Sequence, residues 1–167
     1  MNNMDIQDMR QELAQLGGGA HALATQLLGN ADDAADAVHD AFTTVLARPS
    51  TFDADKGPLK PWFLRVVRNR CIDMIRRRRA SDTDVNEIVA TTPGPEEALY
   101  IDQRSQAIRR ALAAIPNDKR EAIILRDYLD LSYAEIANVL GIAPGTVMSR
   151  IHRSRLALKE ALDKDGK

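Results

Sequence analysis

This chain of 167 residues is poor in cysteine, in aromatic residues and in long apolar runs. Its one cysteine, Cys71, excludes an internal disulfide and any multi-cysteine metal site. Cys71 reads as a small buried residue. Aromatics are 4% of the chain, so the core has to come from Ala, Leu, Ile and Val. No apolar run reaches membrane-spanning length, and the opening MNNMDIQDMR lacks the order of a secretory signal. The expectation is a cytoplasmic protein with no membrane insertion. The histidines, His21, His39 and His152, are scattered, with no cysteine or carboxylate at metal-ligand spacing. Gly17, Gly18 and Gly19 lack the lysine and the preceding strand of a phosphate-binding loop and read as a helix break. No catalytic residue, cofactor or metal is therefore expected. There is no strand alternation and no internal repeat.

Charge is nearly balanced, at −1 net with a pI near 6.3, but it is unevenly spread. Asp5, Asp8, Glu12, Asp32, Asp33, Asp36 and Asp40 make the first quarter acidic, and Arg10 is its only cation before Arg48. From Lys60 to Arg79 the sign reverses. An acidic face beside a basic one points to two different partners. The low net charge argues against strong DNA binding by the chain alone, because phosphate neutralisation by Lys and Arg supplies most non-specific affinity.

What is present is helical periodicity. Ile6, Met9, Leu13 and Leu16 share one face of a helix from about Asp5 to Leu16. A second helix is expected from Ala20 to Leu28, ending at Gly29-Asn30. A third starts near Ala31 and carries Ala34, Val38, Ala41, Phe42 and Val45 on its apolar side. A loop rich in turn residues, 49–57, precedes a fourth helix that begins around Pro58 to Pro61 and contains WFLRVVRNRCIDMIRRRR. Residues 80–95, ASDTDVNEIVATTPGP, read as a flexible or extended linker. Helical signals resume from Glu96 to about Ile115, and again from Pro116-Asn117 through Tyr128. The expected architecture is all-α, with two small helical domains (1–79 and 96–167) joined by the linker.

The second domain ends in LSYAEIANVLGIAPGTVMSRIHRSRLALKEAL. Ser132 and Glu135 have capping-box spacing. Ile136, Ala137 and Leu140 share a face. Gly141 is placed to stop the helix and Pro144 to start the next. On that next helix Val147, Ile151, Ser154 and Leu158 form a core stripe. Thr146, Met148, Ser149, His152 and Arg153 fall elsewhere, with Arg150 and Arg155 to the sides. This is the pattern of a helix-turn-helix. The same spacing would also suit a plain helical hairpin, but a hairpin needs no small and basic residues clustered at the start of its second helix. Arg153 is the best candidate for a base reader, since a guanidinium fork can bond guanine twice.

Two other constellations stand out. Asp33, Asp36 and Asp40 lie on one side of a helix with His39 beside them. They could pair with a basic partner helix or form an ordinary solvated face. Farther on, Arg65, Arg68, Arg70 and Arg76 to Arg79 could neutralise phosphates, and Trp62 and Phe63 could lie near unpaired bases. From its helical position Trp62 fits a core anchor better, and Arg76 to Arg79 also fit a soluble helix end.

Taken together, ADDAADAVHDAF, WFLRVVRNRCIDMIRRRR and IPNDKREAIILRDYLDLSYAEIANVLGIAPGTVMSRIHRSR resemble, in order, three blocks of the sigma-70 family of the extracytoplasmic-function (ECF) type. These are its polymerase-binding helix, its promoter-melting helix and its −35-reading domain. The short linker, and the want of the family's N-terminal extension, fit the compact type. The resemblance implies a sigma factor with core RNA polymerase, promoter DNA and an anti-sigma factor as partners. It implies polymerase docking through Asp33, Asp36, His39, Asp40 and Phe42. It implies −10 contacts and melting through Phe52, Lys56, Trp62, Arg65, Arg68, Asn69, Arg76 and Arg77. It implies −35 contacts through Thr146, Met148, Ser149, Arg150, His152, Arg153 and Arg155. Two positions depart from the family: His39 stands where glutamine is frequent, and Met148 where Lys or Arg is common. A free-standing operator-binding regulator and a sigma mimic that only occupies an anti-sigma factor are the competing classes.

Overall fold

The computed structural model describes residues 4–81 and 102–167. Every regular element among them is helical. The first is α1, Ile6–Leu28, a single helix of 23 residues. The break expected at Gly17–Gly19 does not occur. A glycine inside a helix costs about 1 kcal/mol relative to alanine, but two of these three lie where another element comes close. A Cβ on Gly17 would sit 3.6 Å from the Phe42 ring, and one on Gly19 only 2.7 Å from a Leu129 methyl. Buried Leu13, Ala20 and Leu23 on either side hold the helix through the run.

Gly29, at φ 72°, ends α1 in the left-handed region and donates its N–H to the Thr25 carbonyl. Asn30 then caps α2 (Ala31–Ala47), its side chain accepting from the amides of Asp32 and Asp33 at 2.8 and 3.1 Å. The loop that follows contains two short 3-10 turns, Pro49–Thr51 and Ala54–Lys56. It leads into α3, Leu59–Ser81. This helix includes the first two residues of the stretch read as a linker; the rest of that stretch lies outside the described residues. So do the expected helical residues before Asp102. Phe63, Leu64, Val67 and Cys71 of α3 pack against Met9, Leu13 and Leu23 of α1 and Ala37, Ala41 and Val45 of α2, all essentially buried. Each large apolar side chain so buried contributes about 1.5–3 kcal/mol.

The second half starts at α4, Gln103–Ala114, capped by the Asp102 carboxylate on the Ser105 amide at 2.8 Å. The short α5, Asn117–Ile123, runs into a π-helical stretch, Ile124–Tyr128. Asp130 then turns the chain with φ 57°, a conformation aspartate tolerates better than most residues. α6 is Tyr133–Leu140 and α7 is Pro144–Asp165. Leu125, Leu131, Ile136, Val147 and Ile151 form the centre of this half. The two halves also touch. α1 packs on α5 and α3 on α6, and one apolar cluster runs through both.

Candidate nucleic-acid and polymerase interfaces

The helix-turn-helix is formed by α6 and α7. Ser132 Oγ accepts from the Glu135 amide at 3.1 Å, and the Glu135 carboxylate accepts from the Ser132 amide at 2.7 Å, so the capping box is complete. Gly141 ends α6 at φ 67°, and Ile142 donates back to the Ala137 carbonyl at 3.1 Å. That bond closes a Schellman-type turn. Pro144 occupies the first turn of α7, where its missing N–H costs nothing.

Val147, Ile151 and Ser154 of α7 are buried and Leu158 is half-buried. Ser154 meets its hydroxyl requirement by donating to the Arg150 carbonyl at 2.7 Å. The opposite face carries Thr146, Met148, Ser149, His152 and Arg153, all exposed; Met148 has 62% of its surface in solvent. An exposed methionine beside an exposed arginine serves no packing purpose here. Among the described residues, Arg153 makes no ion pair. Arg150 is half-buried at the edge of this face. Arg155 is exposed, but it is engaged by a two-point bond to the Asp127 carboxylate, at 2.6 and 3.2 Å.

The carboxylate row of α2 divides in two. Asp33 is paired with Arg78 and Asp40 with Arg70, the latter at 2.7 Å, so both acids are bound to α3. Asp36 and His39 stay exposed. Phe42 points inward: its ring is stacked on Phe63 at 4.9 Å between centroids. It therefore belongs to the internal packing of the helix that presents the row.

On α3, Asn69, Arg76 and Arg77 are exposed. Trp62 is half-buried, 5.1 Å from the Phe52 ring, so the aromatic of the loop and the aromatic of the helix form one contact. Lys56 is exposed at the end of that loop. Arg65 and Arg68 face the second half of the molecule. Arg65 donates to the Asn138 side chain at 3.0 Å, and Arg68 donates twice to the Glu121 carboxylate, at 2.8 and 3.1 Å. Cys71 is fully buried one turn on, and burial pushes its thiol up to about 12. It is no nucleophile at neutral pH.

Sequence reasoning missed two buried ions. Arg120 is 4% exposed and donates to the carbonyls of Leu112, Ala113 and Ile115, closing the C-terminus of α4, and to Gln26 of α1. Burial lowers its pKa. Glu121 is 3% exposed. In the sequence both look like surface charges on a polar helix start; their partners, carbonyls at the end of α4 and Gln26 for Arg120 and Arg68 for Glu121, leave no local pattern.

Two family models match the chain in this order: Sigma-70 region 2 over residues 13–81 and Sigma-70, region 4 over residues 105–158. The ECF RNA polymerase sigma factor SigW of Bacillus subtilis is 31% identical over 154 residues, covering 85% of this chain and 82% of that protein. The chain belongs to the sigma-70 family and is a sigma factor of the ECF type. The function that goes with this family is promoter-specific initiation of transcription with RNA polymerase. The ECF sigma factor SigE of Mycolicibacterium smegmatis is 37% identical over 150 residues, which cover 86% of this chain and 57% of that protein. Among solved structures, the sigma factor RpoE of Bartonella quintana, in complex with the anti-sigma factor NepR, superposes with a TM-score of 0.79 at 32% identity, over 93% of this chain and 97% of that one. Region 2 thus spans most of α1 with α2 and α3, and region 4 spans α4 to the middle of α7.

Proposed function

We propose that this sigma factor divides its work between three surfaces, acting in the cytoplasm and without chemistry of its own. Residues 1–79 form the core-binding and −10 domain, 80–95 the linker, and 96–167 the −35 domain. Asp36 and His39, flanked by Asp33 and Asp40, dock core polymerase as charges at the interface rim. Phe52, Lys56, Trp62, Asn69, Arg76 and Arg77 meet the −10 element, with Arg65 and Arg68 joining them when α3 is free. Bases flipped from the duplex are read by pockets and edges, and the Phe52–Trp62 contact gives the loop an aromatic wall for that purpose. Met148, Ser149, His152 and Arg153 read −35 base edges in the major groove, while Thr146, Arg150 and Arg155 hold phosphates. An anti-sigma factor is the expected regulator, by likeness to the relative solved with NepR.

The observation that carries this reading is the face of α7. Its first turns expose Met148, Ser149, His152 and Arg153, while Val147 and Ile151 anchor the helix from behind. The test is promoter binding by the purified protein, with and without core polymerase. Specific binding only in the presence of polymerase is expected. Tight specific binding by the chain alone at physiological salt would indicate a conventional regulator. No binding in either state would indicate a mimic.

A further inference from the structure

The connector between α5 and α6 carries a carboxylate to the recognition helix. It is the π-helical stretch Ile124–Tyr128, closed by the Leu129 amide on the Ile124 carbonyl at 2.8 Å. Single π turns of this kind gather at functional positions. Leu125 before Asp127 and Leu129 after it are buried. Arg126 turns inward: it donates to the Leu131 carbonyl at 2.8 Å and lies over the Tyr133 ring, 5.2 Å from its centroid. Asp127 therefore projects from a backbone anchored on both sides. It takes Arg155 of α7 at two points, Nε at 3.2 Å and Nη2 at 2.6 Å. Only the Nε edge of the guanidinium is used, and among the described residues nothing accepts from its Nη1 end. A guanidinium has five N–H donors in one plane, so the open end can still grip a second anion. Side-chain exposures of 51% for Arg155 and 42% for Asp127 mean that the pair contributes little to stability. Its place on α7 accounts for it better. Arg155 follows Met148 by seven residues, two turns, and so stands on the same flank roughly 10 Å along the axis. Base edges are met by the first turns of such a helix. Two turns on, a helix crossing a major groove about 12 Å wide reaches its phosphate rim.

We propose that Asp127 is a positioning residue for −35 recognition: it aims the open end of Arg155 at one phosphate of the −35 duplex and cancels that arginine's charge toward all other DNA. A lone surface arginine attracts any phosphate, and the counterions it releases strengthen specific and non-specific binding alike. The Arg155–Asp127 pair is neutral as a whole and gains little from a phosphate met at random. It gains where a phosphate oxygen meets the fixed fork in line, because such a bond depends on geometry as well as charge. The contact at Arg155 then requires α7 to sit in register on its −35 element. Asp127 adds to discrimination from outside the reading face, without touching a base. Arg150, on the opposite flank, makes no ion pair among the described residues and keeps its full charge for any duplex. The proposal rests on the phosphate role given to Arg155 above.

Holoenzyme binding to two promoter duplexes that differ only in the −35 block, one selected and one scrambled, tests this between about 50 and 200 mM salt. Asp127→Asn keeps the size of the side chain and removes its charge. On the scrambled duplex it should bind about five- to tenfold more tightly near 0.1 M salt, and the slope of log K against log salt should steepen by about 0.9, the value of one phosphate. On the selected duplex it should bind no more tightly than wild type, so preference for the −35 block falls by the same factor. Asp127→Glu restores the charge and should return the wild-type slope. Arg155→Ala combined with Asp127→Asn removes the pair at constant charge. That double variant should match wild type on the scrambled duplex and lose on the order of tenfold on the selected one, as a charged two-point contact is removed. Asp165→Asn breaks another exposed two-point pair, with Arg110 near the end of α7, and should change neither duplex. An Asp127→Asn holoenzyme with the wild-type slope would overturn the role of Asp127, and so would one that gains equally on both duplexes. If the double variant holds the selected duplex as tightly as wild type, Arg155 grips no phosphate there, and the reading of Arg155 falls together with the proposal.

Discussion

Arg153 and Arg150 lie three residues apart on α7, and their surroundings give them different work. Arg153 is exposed on the reading face, whereas Arg150 is half-buried at its edge and lends its carbonyl to Ser154. Arg153→Ala should therefore cost about 1–3 kcal/mol and relax choice at one −35 position. Arg150→Ala should weaken all −35 sequences alike and flatten the salt dependence. A −35 library transcribed by each mutant holoenzyme separates the two patterns. Asp36 is the acid of the α2 row that stays exposed among the described residues without an ion pair. Asp36→Lys should slow association with core polymerase, as rim charges do, at unchanged helix content. Stopped-flow binding would read it, and an unchanged on-rate would remove Asp36 from the docking surface. Cys71 makes a prediction of the opposite kind. Its thiol ionises near 12 when folded, against 9.0 ordinarily. The folded state therefore holds a proton that the unfolded state releases. Its contribution is complete below pH 9.0 and is lost progressively as pH rises toward 12. Wild type should lose stability more steeply over that window than Cys71→Ala, and should resist alkylation until it unfolds.

Among the elements, the helix-turn-helix was legible to the residue, because its signals are local. A capping box, a glycine stop and a proline start each act within one turn of chain. The glycine run in α1 was not legible, because the close approach at Gly19 is to Leu129, 110 residues away in sequence. Read alone, three glycines predict a break; read against their neighbours, Gly19 is a clearance for Leu129, while a Cβ on Gly17 would meet Phe42 at ordinary contact distance. Gly18 meets nothing within 4 Å. Gly18→Ala should therefore raise stability by about 0.5–1 kcal/mol, through helix propensity alone. Thermal or urea unfolding would measure this. A destabilised Gly18→Ala would mean that the run is required for something other than close approach. The loop before α3 was expected to be irregular; its two 3-10 turns serve to bring Phe52 onto Trp62.

At the level of the whole molecule, the two groups of helices and the order of the sigma blocks could be read from periodicity and motif. How the groups meet could not. The partners at that contact are a lysine with a backbone carbonyl, an arginine with an asparagine, and an arginine and a glutamate 53 residues apart in sequence. None of these leaves a local pattern. The overall charge of −1 leaves the chain little net phosphate neutralisation with which to bind DNA alone. The most direct measurement is to sequence the transcripts made by core polymerase, with and without this protein, from a library randomised at both promoter elements. With the protein, initiation should concentrate on templates sharing two constrained blocks, one near −35 and one near −10, and Arg153→Ala should loosen only the first. Identical start sites with and without the protein, or a −35 block that survives Arg153→Ala intact, would contradict it.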